Sequence, residues 1–92
     1  MQSVTDQQAK LNIAANLLRL RGDKSYSQLA REVSTDDEKI YPATIERIEK
    51  MRHMPGVGLL SRIAEALGVS VDTMLSEPSK SGRKRILEKI AG

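Results

Sequence analysis

Residues 25–51, SYSQLAREVSTDDEKIYPATIERIEKM, constrain the fold more than any other stretch. Ser25 followed three residues later by Gln28 has the form of a capping box, an N-terminal signal that satisfies backbone donors otherwise left free. Leu29, Ala30 and Val33 then put one apolar face on a short helix over 26–33. A second start lies at Tyr41-Pro42, because proline fits the first helical position and biases the residue before it away from helix. Ile45 and Ile48 form the inward stripe of a helix over 42–51, while Glu46, Arg47 and Lys50 point elsewhere. Two short amphipathic helices joined by a polar connection bury little surface alone, so the rest of the chain must close the core around them.

The remaining 65 or so residues supply that closure, the count being what is left of the 92-residue chain. Residues 1–4 read as an unstructured start. Thr5 with Gln8 repeats the capping signature, so a first helix begins near Asp6, carries Ile13, Leu17 and Leu20 with Leu11, Ala14 and Leu18 beside them, and ends at Gly22-Asp23. The run LLSRIAEALGVSVDTML (59–75) contains a helix over about 57–67, stopped by Gly68, and a short one over about 71–76 that Pro78 ends. Thr35 and Glu38 have the spacing to cap an extra helical turn in the 34–40 connection. With two tyrosines as the only aromatics and no cysteine, the core must be Leu, Ile, Val, Met and Ala, which suits packed helices and excludes a disulfide framework or thiolate metal site. A chain this short buries about 60% of its unfolded surface on folding and leaves little room for a large catalytic cavity.

Taken together, SxxQLA at 25–30, TIxRIE at 44–49, Pro55 and IAEALGVSVDTML at 63–75 resemble the Cro/repressor (Xre-type) helix-turn-helix family of DNA-binding regulators. The resemblance spans roughly residues 11–77. It implies an all-α, compact five-helix lambda-repressor-like domain over 1–78, and the composition of 79–92 adds a basic tail that is mobile or a short helix. The charge is correspondingly uneven: residues 1–78 hold ten basic against eleven acidic side chains, a balance of −1, whereas 79–92 hold five against one, +4. The pI near 9.5 therefore describes the tail and is no argument for DNA binding by the body.

In helix-turn-helix proteins the second helix enters the major groove with its early residues toward base edges. On that basis the resemblance assigns base contacts to Ala43, through its methyl, to Glu46 and to Arg47. Arg47 suits guanine O6 and N7, with a phosphate contact or plain solvation as the alternatives. Tyr26, Lys39, Tyr41, Lys50, Arg52 and His53 are expected at phosphates, ordinary packing being the alternative for either tyrosine. Family members also pair an arginine near the end of helix 1 with a glutamate late in helix 3, which here implies an Arg19–Glu49 scaffold pair. Two departures stand out. Helix 3 ends in Lys50-Met51 where the family has Asn-Gly, and the acidic 34–40 link is longer than the usual turn.

The sole histidine, His53, has no second ligand at metal spacing, and Asp36-Asp37-Glu38 lacks the glycine and spaced oxygens of a calcium loop. No nucleophile–base pair, phosphate-cradling glycine loop or nucleotide fingerprint is present, so no enzyme, metal or cofactor is expected. Without a long apolar run the chain reads as a cytoplasmic protein with no membrane segment. The expected activity is that of a homodimeric regulator, a repressor, on palindromic double-stranded DNA. The dimer surface would comprise Val69, Val71, Met74, Leu75, Ile86, Leu87 and Ile90, unless those before Pro78 close the core, and Arg83, Lys84 and Arg85 are the tail's candidates for phosphate. The alternative is a small-protein partner, with the chain as an antitoxin or repressor antagonist of the same fold.

Overall fold

Hydroxyl side chains open four of the six helices found in residues 5–91, the part of the chain described by the computed structural model. Thr5 Oγ1 accepts from Gln8 N–H at 3.0 Å to start α1 (Asp6–Arg21), and Ser25 Oγ accepts from Gln28 N–H at 3.0 Å to start α2 (Tyr26–Val33). Ser70 does the same for α5 (Val71–Leu75), and Ser79 Oγ accepts from Gly82 N–H ahead of α6 (Lys80–Ala91). Each bond satisfies a first-turn amide that the helix itself leaves free. The glutamine half of the expected boxes takes another partner: Gln8 Nε2 donates to Asn12 and Gln28 Nε2 to Glu32. α3 (Pro42–Glu49) begins on its proline, and α4 (Val57–Ala66) begins behind Gly56, neither with a side-chain cap. The start read at residues 1–4 lies outside the described residues.

Two helices end in the same way with different residues. After α4, Gly68 takes φ +75°, its N–H bonds Glu65 O, and Val69 N–H bonds Ala64 O at 2.9 Å. After α3, Met51 takes φ +60°, its N–H bonds Ile48 O, and Arg52 N–H bonds Arg47 O at 2.8 Å. Both are Schellman closures, which need a left-handed residue just past the helix. An L side chain there costs about 1–2 kcal/mol. Met51 tolerates it because its side chain packs on the Ala14, Ala15 and Ile86 cluster, returning part of the ~1.5–3 kcal/mol of a buried methionine. Met51→Gly is therefore expected to change stability by no more than about 1 kcal/mol, strain relief offsetting lost contact. Met51→Val, β-branched at positive φ, should cost about 1–3 kcal/mol in thermal unfolding.

The main core joins Ile13 and Leu17 of α1, Leu29, Ala30 and Val33 of α2, Ile45 and Ile48 of α3, and Leu60, Ile63 and Ala64 of α4, closed by Met74 of α5. α1 is central, packing on α3, α5 and α6, while α2 lies against α3 and α4. Two asparagines face inward from α1. Asn16 Nδ2 donates to the carbonyls of Thr73, Met74 and Ser76 at 2.9–3.1 Å, and Asn12 Nδ2 to that of Leu75 at 3.0 Å.

The segment after Pro78, expected to be mobile or a short helix, forms a twelve-residue helix. Ile86 is fully buried on Ala14 and Ala15 of α1, and Met74 is fully buried in the main core, so neither is available to a dimer surface as the sequence had suggested. The expected turn of helix at Thr35–Glu38 does not form. Thr35 and Glu38 instead exchange backbone bonds, each N–H to the other's carbonyl, and Thr35 Oγ1 accepts from Glu38 N–H.

Candidate nucleic-acid interface

The inward side of α3 carries Ile45, Ile48 and Glu49, all buried, so geometry alone dictates what its outward side presents. Pro42, Ala43 and Arg47 are exposed there, and Tyr41 just ahead of them is 58% exposed. Glu46, half-buried, forms an i,i+4 pair with Lys50 at 3.5 Å. Arg52 and His53 are exposed beyond the helix end. Lys39 is exposed as well, its ammonium 5.4 Å from the Tyr41 ring centroid, within cation–π range. The structure thus brings Lys39, Tyr41, Ala43 and Arg47 to one exposed edge, with Glu46 and Lys50 coupled to each other beside it.

The acidic link is tied down rather than left over α3. Ser34 Oγ donates to Ala30 O and accepts from Ile40 N–H, both at 2.8 Å, which fixes the two ends of the link. Arg62 of α4 donates to Val33 O at 2.9 Å and pairs with Glu38, drawing that carboxylate toward α4. Between the link, α2 and the start of α3 runs an open groove of about 530 Å³ whose lining includes Ser27, Arg31, Asp36, Lys39, Tyr41 and Pro42. Ser27 and Arg31 are exposed α2 residues with no counterpart among the sequence expectations. Their i,i+4 spacing opposite Leu29 and Val33 was the signal that would have found them.

Two expected assignments change. Glu49, with no exposed side-chain surface, pairs with Arg21 and not with Arg19. Arg21 Nε and Nη2 donate to its two oxygens, and Lys89 Nζ of α6 donates to Oε1 as well. Arg19 is exposed and, among the described residues, reaches only Asn16. The reason is helical phase: 13, 17 and 21 share the stripe that faces α3, whereas 19 lies about 200° from 17. Tyr26 is likewise turned inward. Its hydroxyl donates to Glu49 Oε1 at 3.2 Å and accepts from Lys89, and the Arg21 guanidinium lies 4.3 Å from its ring centroid, so this hydroxyl is occupied and not offered to a phosphate.

Burial pushes the Glu49 carboxyl up, but the hydrogen bonds from Arg21 and Lys89 outweigh it and hold the group below its ordinary range. Burial likewise pushes Lys89 down, and Glu49 and Tyr26 reverse the sign and hold it above. The tail's positive charge is thus partly internal. Lys89 is spent on Glu49, Arg83 pairs with Glu77 at 3.0 Å, and Lys84 lies 4.0 Å from Glu88, which leaves Lys80 and Arg85 exposed and unpaired among the described residues.

No helix among the described residues is long and apolar enough to cross a membrane. No curated protein and no solved structure gives a match to the chain. The family model described as "Helix-turn-helix" matches residues 17–74, from the late part of α1 into α5, and so takes in α2, its link and α3 entire. The chain belongs to this helix-turn-helix family, of the Cro/repressor (Xre) type, whose members are DNA-binding transcriptional regulators.

Proposed function

We propose that this protein is a sequence-specific repressor acting in the cytoplasm as a homodimer on a two-fold symmetric operator, with α3 as the major-groove helix. The observation that carries this reading is the outward face of α3, free of cover from the 34–40 link and bearing Ala43 and Arg47. Arg47 reads guanine, the Ala43 methyl meets a thymine methyl, and Glu46, once released from Lys50, accepts from cytosine N4. Lys39, Tyr41, Lys50, Arg52 and His53 flank the groove toward the phosphates, with Ser27 and Arg31 replacing Tyr26 on the α2 side. The dimer forms through the apolar groups still exposed at the α5 and α6 end, Leu75, Leu87 and Ile90.

Selection from random duplexes at fixed salt tests the reading. It should enrich a palindrome whose half-site centres lie one turn, about 34 Å, apart. Arg47→Ala should weaken binding to that site by about 1–3 kcal/mol, roughly 5- to 150-fold, and relax the preference for one guanine in each half-site. Absence of any enriched sequence counts against a regulator. It would favour the second reading, a protein-binding antitoxin or antagonist, for which the apolar Pro42-Ala43 start of α3 and the −1 balance of residues 1–78 speak. Co-purification of one small protein with the chain would then support that reading.

A further inference from the structure

The helix α6 lies outside the segment that matches the family, yet it touches the C-terminal end of α3 at two places. Lys89 donates to Glu49, the last residue of α3, and also to the Tyr26 hydroxyl, which itself donates to Glu49. Met51, the left-handed residue that closes α3, packs into the cluster built on Ile86 of α6 and Ala14 and Ala15 of α1. α1 supplies Arg21 from the other side of the carboxylate. The end of α3 is therefore held between two helices, one partly inside the matched segment and one outside it.

We propose that Lys89 is a positioning residue for α3: it touches no DNA, and it fixes the end of the reading helix through Glu49 and Tyr26. The tail's basic character suggests a different use, contact with phosphates, and the geometry argues against that for this one lysine. Its ammonium sits within hydrogen-bond distance of two side chains and only a quarter of its side-chain surface, 26%, is exposed. A cation committed in this way releases no counterion from DNA, so its loss leaves the salt dependence of binding unchanged. Its effect on affinity comes from the helix it holds, because small displacements of a reading helix misalign every base contact at once.

The inference rests on α3 as the DNA-reading helix only for its second readout. The test compares the full chain with Lys89→Met and Lys89→Arg, at a temperature where circular dichroism shows all three folded. First, amide exchange is followed without DNA. Lys89→Met should speed exchange at Lys50–Arg52, the amides that close α3, at least tenfold, while the amides of α4 keep their rates, and Lys89→Arg should restore most of the protection. Second, binding to the selected duplex is titrated against salt. Lys89→Met should weaken it about tenfold with an unchanged slope of log K against log salt, and Lys89→Arg should recover it. Unchanged exchange at 50–52 overturns the proposal, as does unchanged affinity in a Lys89→Met protein whose wild type binds. A slope shallower by about 0.9 also overturns it, since that is the signature of a lost phosphate contact. If the wild type selects no duplex, the regulator reading fails, and the exchange comparison still decides the role of Lys89.

Discussion

Glu49→Gln should destabilise the protein by about 3 kcal/mol at pH 7, the lower end of the ~3–5 kcal/mol expected when one member of a buried ion pair is removed. For a domain of this size that is a fall of roughly 12–24 °C in the unfolding midpoint. The lower end applies because Arg21 and Lys89 keep 13% and 26% of their side-chain surface and regain some hydration. Shape is almost unchanged, so the loss is one of hydrogen-bond polarity. Glu49 Oε2 accepts from Arg21 Nε, and Oε1 accepts from Arg21 Nη2, Lys89 and Tyr26. A glutamine can keep one of these two sides as oxygen. The other becomes an amide donor facing a donor, and neither orientation satisfies both.

The pH dependence follows from the direction of the shifts. Glu49 is held below its ordinary 4.5, so its contribution is fully present above about that pH and is lost as pH falls through the lower folded value. Lys89 is held above its ordinary 10.5, so its share is present below that pH and lost as pH rises through the higher folded value. The gap in midpoint between wild type and Glu49→Gln should therefore be widest between these limits and close toward strong acid. Other carboxylates also titrate, Glu32 among them, held low by Lys24. They titrate in both proteins and drop out of the difference. A gap that stays constant from pH 7 to pH 2 would remove the ion network as its cause.

The resemblance implied a paired Glu49 but named the wrong arginine, and the reason is range. Caps, proline starts and glycine stops act within one turn, and a linear sequence displays them: Thr5, Ser25, Pro42, Gly22 and Gly68 all stand where local rules put them. The choice between Arg19 and Arg21 depends on which face of α1 meets α3. Extending the Ile13–Leu17 stripe by one more turn would have selected 21. The α6 helix was obscured for a related reason. SKSGRKR has the composition of a mobile segment, and what orders it is remote: Ile86 seats on two alanines of α1 more than seventy positions earlier. The exposed edge of α3 was legible because period and proline fix its phase. Its neighbours Ser27 and Arg31 were not legible, since a polar helix face announces nothing until a second helix is placed beside it.

Asn16 is the residue that hydropathy patterning most misrepresents, and Asn16→Leu should cost about 2–4 kcal/mol. It lies at the i+4 position from Asn12 on a helix whose buried face a polarity scale would end before it, yet both are buried. α5 has only five residues, so nearly all its carbonyls lie in a last turn with no helical acceptor role. Thr73 O has other donors, the N–H and hydroxyl of Ser76, but Met74 O and Ser76 O face the Asn16 amide. Leucine fills the space and leaves both without that donor, at about 1–3 kcal/mol for the buried Met74 acceptor and less for Ser76 O, which lies at the surface. Asn16→Asp separates this account from one based on volume. It is isosteric, and at pH 7 it aims a carboxylate at carbonyl oxygens, so it should be at least as damaging as leucine. Burial and those carbonyls would raise its folded pKa above the ordinary ~3.9. A group raised in this way costs stability above its unfolded pKa and returns it as pH falls, because the protonated acid can donate one hydrogen bond. Thermal unfolding of Asn16→Asp should therefore move toward wild type on going from pH 7 to pH 4, where Glu49→Gln shows no such recovery of its own. If Asn16→Asp matches wild type at pH 7, the asparagine amide does not hold the end of α5.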